Sequence, residues 1–574
     1  MKHATHHALV LTVSVLCLTS ASSQEAQPDT GSEAIAINQV GYRGDALKRF
    51  FTSRQSDHFR VLDTRNLAVH AGRTTGPVTS SSAGTNVWQG DFTALTTPGT
   101  YVVELEDGTR SWPFRIGEDV HEFVLHSALR GLYVSRCGYA VIDESVGHPP
   151  CHMRDGAFLF IDGVDVPDGR DVSGAWHNGG DYWRSTMSAA QTVSRLLWAE
   201  ELCPGTFDAL PSGLAAEERI IGSPDLLTEA RWGLAWLAKM QDADGGVSLG
   251  VSPRVFKMPG HVPPQDDPTE HVRGAVHSSN TAKAGAVFAR AARVFAKRDP
   301  AFAGDCLRRA RLCWGWLQAH PQAVAPKTCS TYVKRHDSHD RLWLAVELFR
   351  TTGDETFHGD FLAHFTKLES AYPPAPVSTQ TIRDYNLHEA LISYCLATNP
   401  TDPAVRSKII AGLRSDCDKR LDVAKADGYG CVLTAADWEQ RHTCGTMLQI
   451  AWELAMAFRL TGHTPYLETA LQQLHYVLGA NPLGKVYVTG VGSNPVMKPH
   501  YRPLSINNKT PPGLLVKGPT HDPSFLKRFT GPVPPPAKSY MDIIPAHQCN
   551  EPDIEVQAHL IGLAAYFHAT GTRP

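Results

Sequence analysis

Three apolar stretches of this 574-residue chain close on the same pattern: Phe349-Arg350-Thr351-Thr352-Gly353, Phe458-Arg459-Leu460-Thr461-Gly462 and Phe567-His568-Ala569-Thr570-Gly571. Glycine just past a helix can take the left-handed conformation that ends it. Helix ends repeating about every 109 residues predict helical hairpins arranged around a common axis. The intervening sequence has the matching period. Leu226, Ala230, Leu234 and Leu237 share one helical face, as do Ala284, Val287, Ala291 and Val294. The same holds for Cys306, Ala310, Cys313 and Leu317, for Met447, Ala451, Leu454 and Phe458, for Leu467, Leu471, Leu474 and Leu478, and for Val556, Leu560, Leu563 and Phe567.

The helical texture begins near Glu118. Before it, residues 35–117 show short alternating runs such as Phe59 and Val61, or Tyr101, Val103 and Leu105, with turns at Pro98-Gly99 and Asp107-Gly108. That spacing predicts a small β-sandwich. No flexible linker separates it from the helical part, residues 118–574, so the two are expected to pack directly. Two irregular regions, about Gly250 to Ser278 and about Val491 to Asp542, interrupt the helices. Loops of that length in a compact body are commonly either functional or disordered, and the second, which carries charged and aromatic residues, is read as functional.

Residues 1–23 read as a secretory signal. Lys2 precedes an apolar run, Ala8 to Leu18, and then the small residues Thr19 to Ser23. The run is too short to span a bilayer, and no later apolar stretch approaches the necessary length. The expected product is secreted or periplasmic, monomeric and without a membrane partner. Lysine and arginine number 54 against 58 acids, a net charge of −4, which excludes the basic footprint of a nucleic-acid binder. Twelve cysteines include Cys17 in the signal, and the remaining odd number cannot all pair as disulfides.

Candidate chemistry lies far apart in the chain. Cys137, Cys151, His152 and His177 are suitable zinc ligands, and four of them close a tetrahedral site. A Cys137–Cys151 disulfide with two surface histidines fits the spacing equally well. In Trp176-His177-Asn178-Gly179-Gly180-Asp181-Tyr182, the aspartate after two glycines either faces a cleft from a tight turn or caps a helix. Glu551, just before the last helix, is either a cleft acid or a charge favoured by the helix dipole.

These residues resemble glycoside hydrolase family 9, the inverting cellulase family, in its form with an N-terminal immunoglobulin-like domain. Ile37-Asn38-Gln39-Val40-Gly41-Tyr42 is similar to the opening of that domain. Ser223-Pro224-Asp225-Leu226-Leu227-Thr228-Glu229-Ala230 and Lys239-Met240-Gln241 match early helical motifs. Leu478-Gly479-Ala480-Asn481-Pro482-Leu483-Gly484, Tyr487-Val488-Thr489-Gly490 and Pro499-His500-Tyr501-Arg502 match the later signature. The resemblance implies an (α/α)6 toroid acting on a β-linked glycan, with Asp181 as general base and Glu551 as general acid. Inversion requires room for water between the two carboxyls. Glu551 is accordingly expected to have a raised pKa and Asp181 to stay ionised. His500 and Arg502 match substrate-binding positions, and the family's closed zinc site maps onto Cys137, Cys151, His152 and His177.

The chain departs from the family at several points. Asn178 replaces an aspartate that helps hold the attacking water; an amide can orient water but carries no charge. His547 stands where a tyrosine is common, and Asp542 at a preceding acidic position; both are counted with the substrate-binding set, Asp542 also as a brace for its loop. Asp340-Arg341 replaces an Asp-Glu pair that binds calcium in some relatives, and an arginine there opposes a cation. The leading expectation is an inverting β-glycosidase, endo-acting or an exo-acting glucosidase or glucosaminidase. Against it stand a glycan-binding member that no longer cleaves, suggested by Asn178, and a zinc hydrolase, for which four protein ligands leave little room for catalytic water.

Overall fold

The computed structural model describes residues 33–571 apart from 209, 211–213, 215–222, 256–259, 328–335 and 372–384. The secretory signal read at residues 1–23 lies outside the described residues.

Eight strands open the described chain: β1 (Ile35–Ala36), β2 (Gly41–Tyr42), β3 (Arg49–Thr52), β4 (His58–Asp63), β5 (Ala68–Ser80), β6 (Thr85–Asp91), β7 (Gly99–Leu105) and β8 (Phe114–Ile116). Their order is β1-β3-β6-β5-β4-β7-β8-β2. The long β5 serves both layers, pairing with β4 through its first half and with β6 through its second, with a register shift between Thr75 and Val78. The alternation seen in sequence is realised: Phe59, Val61, Tyr101, Val103 and Leu105 point into a core with Tyr42, Phe50, Phe92 and Phe114.

The helical part contains, among the described residues, α1 (Val120–Tyr133), α2 (Thr186–Leu202), α3 (Asp225–Met240), α4 (Ser278–Phe295), α5 (Pro300–Ala319), α6 (Ser338–Thr352), α7 (Glu355–Ala371), α8 (Tyr385–Cys395), α9 (Pro403–Ala426), α10 (Ala435–Trp438), α11 (Thr443–Thr461), α12 (Thr464–Val477), α13 (Pro523–Leu526), α14 (His547–Asn550) and α15 (Ile554–Thr570). Helices α2, α4, α6, α8, α11 and α15 touch in that cyclic order and close an inner ring. Helices α1, α3, α5, α7, α9 and α12 pack outside it. The inner helices are buried nearly all round, as residues Thr443 to Ala457 of α11 show, whereas outer helices such as α5 and α9 bury one face. The three repeated helix ends belong to inner helices α6, α11 and α15. Gly353 and Gly462 both have φ of 70° and return their amides to Phe349 and Phe458.

Polar groups inside the ring lock its members together. Arg290 of α4 meets Glu347 of α6 at 2.5 Å, Glu389 of α8 at 3.2 Å and Ser194 of α2 at 2.6 Å. Lys283 and Asp340, both fully buried, pair at 3.0 Å between α4 and α6. Buried charges persist only when paired in this way.

A second sheet was not legible in sequence. Strands β9 (Phe158–Ile161), β10 (Val164–Pro167), β11 (Arg184–Ser185), β12 (Gly250–Pro253) and β13 (His271–Gly274) assemble in the order β10-β9-β13-β12-β11. Two of them lie in the segment from Gly250 to Ser278 that reads as irregular. Strands of two to four residues are too short to display a period.

The sandwich packs directly on the ring. Gln39 donates to the Gly484 carbonyl at 2.6 Å and accepts from the amides of Ser493 and Asn494, joining two signature stretches. Tyr42 meets His475 of α12 edge to face. No helix of the described residues is long and apolar enough to cross a membrane.

Candidate active site

The site lies at the N-terminal ends of the inner helices, where unpaired amides favour negative charge. Asp181 precedes α2 and Glu551 precedes α15. Neither caps its helix: Ser185 caps α2 and Asp553 caps α15, which leaves both carboxylates for other work.

Backbone hydrogen bonds knit the two segments together. The amide of Ile554 donates to the Asn178 carbonyl at 3.0 Å, and the amide of Arg502 donates to the Gly180 carbonyl at 3.0 Å. The Gly180 amide donates to Glu551 Oε1 at 3.1 Å. A side chain at 180 is impossible without movement, because a Cβ would lie 1.9 Å from the His500 carbonyl oxygen. The two glycines before Asp181 therefore permit close approach of three chain segments.

Asp181 and Asn178 each present a buried side-chain oxygen, Oδ1, without a hydrogen-bond partner. The Asp181 carboxyl is pushed up to about 7, by burial and then by the charge of Glu551. Glu551 is displaced the opposite way. Burial opposes its charge, but Lys517, His500 and His547 outweigh burial and hold it below the usual glutamate range. This reverses the expectation of a raised Glu551 and an ionised Asp181. The physical reason is Lys517, whose ammonium forms a short ion pair with Glu551 Oε2. A proton shared by the two carboxyls accordingly rests on Asp181.

Lys517 was missed in sequence. It carries no local signal, since it sits alone in Leu514-Leu515-Val516-Lys517-Gly518. Its amide donates to the Glu551 carbonyl at 3.0 Å, and its own carbonyl accepts from Cys444 at the start of α11 at 2.8 Å. Only that long-range pairing brings it to the acid.

His500 and Arg502 arrive from the loop that touches Gly180. His500 Nδ1 donates to the Ile544 carbonyl at 2.6 Å, which fixes the ring and leaves Nε2 for other contacts. The Arg502 guanidinium lies over the Tyr182 ring at 5.4 Å. His547 sits 5.6 Å from His500 between ring centres, and His261, another group missed in sequence, lies 5.1 Å from His500. Asp542 does not share this arrangement. Its oxygens accept from the amides of Met497 and Lys498 and pair with Lys485 at 3.0 Å, so it braces the loop.

Cys137, Cys151, His152 and His177 converge, with one ligand atom from each lying within 4.8 Å of all the others. The two sulfurs are 3.9 Å apart and free, so the disulfide alternative fails. The histidines are enclosed rather than on the surface. The spacing suits a tetrahedral ion, whose S–S and S–N edges are about 3.5–3.8 Å for zinc. His152 Nε2 faces Asp267 Oδ2 at 3.5 Å, while its Nδ1 is buried without a partner. A carboxylate behind a ligating imidazole is the usual support for a metal. At the position considered for calcium, Asp340 is engaged by Lys283, Ser279 and Asn386, and Arg341 pairs with Asp337 at 2.9 Å.

Comparison with known proteins places these features among relatives. The family model for glycosyl hydrolase family 9 matches residues 122–564, and that for the cellulase N-terminal ig-like domain matches residues 30–110. Endoglucanase D of Acetivibrio thermocellus is 28% identical over 550 residues, covering 93% of this chain and 83% of its own. Cellodextrinase of Butyrivibrio fibrisolvens is 28% identical over 540 residues, covering 90% and 96%. The crystal structure of a metagenome-derived glycoside hydrolase family 9 endoglucanase superposes with a TM-score of 0.82 at 32% identity, covering 93% of this chain and 99% of that one.

Proposed function

The chain belongs to glycosyl hydrolase family 9, and from that premise we propose that it is an inverting hydrolase of β-linked glucans, with Asp181 as general base and Glu551 as general acid. The observation that carries this reading is the 3.1 Å bond from the Gly180 amide to Glu551 Oε1, which joins segments 371 positions apart into one site. Asp181 Oδ1 and Asn178 Oδ1, both buried acceptors without donors, are suited to take the two hydrogens of an attacking water.

In the reaction, Asp181 removes a proton from that water as its oxygen bonds to the anomeric carbon. The bond to the leaving oxygen breaks, and Glu551 gives that oxygen its proton. The step ends with a protonated Asp181 and an ionised Glu551. That is the charge state the free site favours, so each turnover must be followed by return of a proton to Glu551. His500 and Arg502 donate hydrogen bonds to sugar hydroxyls, and His547 lines the same side. Cys137, Cys151, His152 and His177 would hold a structural zinc ion that fixes His177, four residues before the base. A closed four-ligand set supplies no open position, so the chemistry stays with the carboxylates. Family relatives named for endo-action and for cellodextrin cleavage both support a β-glucan substrate for this chain. The N-terminal signal reading adds that the enzyme works outside the cytoplasm.

The test is NMR of the first-formed anomer from a defined β-glucan oligosaccharide, with Asp181→Asn as control. An α-anomer from wild type and a loss of about 10³-fold or more in the variant are expected. A β-anomer, or equal inactivity of both proteins with glycan binding retained, overturns the assignment.

A further inference from the structure

His177 has two ring nitrogens, and a zinc ion held by the four-ligand set would use one of them. Nε2 lies 3.5 Å from the Cys151 sulfur, so Nε2 is the nitrogen that faces the metal position. A neutral imidazole that ligates through one nitrogen carries its proton on the other. That other atom, Nδ1, is buried and has no partner among the described residues. A ligating histidine is ordinarily oriented by an acceptor at its second nitrogen, and a buried donor left unpaired is costly.

A small cavity lies beside His177, where α1, the segment of Asp181 and the segment of Glu551 meet. Its polar lining is Ser135, His177, Asn178, Asp553 and Gln557. Three of these side chains are engaged. Gln557 donates to the Ala128 and Gly513 carbonyls, both at 2.6 Å, and accepts from the Leu515 amide at 2.8 Å. Asp553 accepts from the Glu555 amide at 2.9 Å, and Ser135 Oγ donates to the Gly131 carbonyl at 3.1 Å. The His177 Nδ1 donor and the Asn178 Oδ1 acceptor are left, on residues 1% and 8% exposed. The cavity admits the centre of a water molecule over about 10 Å³, room for one. Dry cavities are apolar, whereas a polar one with two to four hydrogen-bonding neighbours holds water.

We propose that this cavity is the binding site of one ordered water, which accepts from His177 Nδ1, donates to Asn178 Oδ1 and so makes His177 a positioning residue for hydrolysis. This rests on the zinc assignment and on the role of Asn178 given above. The connection runs from the metal through the imidazole and the buried water to one lone pair of the Asn178 oxygen, and the other lone pair is left for the attacking water. Ser135 Oγ, its own hydrogen given to Gly131, takes the second hydrogen of the buried water. The backbones of the two residues are already fixed, the His177 amide on the Ser135 carbonyl at 2.7 Å and the Asn178 amide on the Trp183 carbonyl at 2.9 Å. The water therefore sets the side chains. Coupling between two sites is reciprocal, so removing the Asn178 oxygen weakens zinc by the factor that removing zinc loosens Asn178.

The experiment measures zinc affinity, by competition with a chromophoric chelator, for the intact wild type, Asn178→Leu and Asn178→Asp, and adds a high-resolution crystal structure of the zinc-loaded wild type. A water within hydrogen-bond distance of both His177 Nδ1 and Asn178 Oδ1 is expected. Asn178→Leu keeps the shape without the acceptor and should bind zinc about 10- to 100-fold more weakly, while Asn178→Asp restores an oxygen and should stay within about threefold of wild type. Equal affinity in all three proteins overturns the proposal. The wild-type structure decides alone if Asn178→Leu does not fold, because a direct His177–Asn178 hydrogen bond or a cavity without water overturns it too. Failure of wild type to take up zinc removes the zinc assignment and this proposal together, whereas uptake with equal affinities removes this proposal only. Neither measurement needs turnover, so both stand apart from the hydrolytic reading.

Discussion

Gly180→Ala is the sharpest single test of how the site is assembled. The added Cβ would sit 1.9 Å from the His500 carbonyl oxygen and 2.9 Å from His500 Cδ2, and the first is backbone that cannot rotate aside. The closest tolerable contact is about 3 Å, so the 180 segment and the His500 segment must separate by about 1 Å. Two bonds stand across that gap: Arg502 amide to Gly180 carbonyl at 3.0 Å, and Gly180 amide to Glu551 at 3.1 Å. Either stretches to about 4 Å and is lost. Asp181 follows its neighbour, and a 1 Å misplacement of a reacting group costs about 10²-fold. The expected result is a fall of at least that size in kcat/KM, with a stability loss of only about 1–3 kcal/mol. Steady-state kinetics on a defined oligosaccharide, paired with thermal melting of the same sample, reads both quantities. A variant within threefold of wild-type activity would refute the claim that the Gly180–His500–Glu551 junction sets the geometry.

The remaining predictions concern charge, metal and core. Singly protonated carboxyls are the working form, so kcat/KM should decline above about pH 7, as the pair loses the proton resting on Asp181, and again below the lowered pKa of Glu551, where both are protonated. A pH–rate profile still rising at pH 9 would contradict this. Zinc should be found at one per chain by elemental analysis; its removal by chelation, or Cys151→Ala, should lower Tm by about 5–10 °C, the scale of about 3 kcal/mol. An unchanged Tm in metal-free protein would remove the structural role. Lys283→Met should cost about 3–5 kcal/mol in urea unfolding at pH 7, because buried Asp340 loses the ammonium it pairs with at 3.0 Å. A loss below about 1 kcal/mol would show that Ser279 and Asn386 suffice to hold that carboxylate.

The architecture was legible because it is written in short-range patterns. Alternation at Phe59 and Val61 marks a strand with one buried face, and the period through Leu226, Ala230, Leu234 and Leu237 marks a helix, whatever lies on the other side. Glycine at 353 and 462 stops its helix through its own backbone freedom. The metal ligands and Asp181 could be nominated because cysteine, histidine and a glycine-preceded aspartate are chemically unusual where they stand. Strands such as β12 and β13 escaped notice, for four residues display no period. The amides and the lysine that Asp542 meets could not be read from its position in the chain.

Which groups share the site, and with what charge, belongs to the tertiary structure alone. Lys517 lies among apolar neighbours with nothing in its surroundings to announce it, and it meets Glu551 only because a strand-like segment runs beside the last turn before α15. The same contact decides where the proton rests, against the expectation drawn from residue types. A side chain's identity sets what it can do, whereas its pKa is a difference between two environments. That difference depends on neighbours hundreds of positions away, so the chain carries it only once folded.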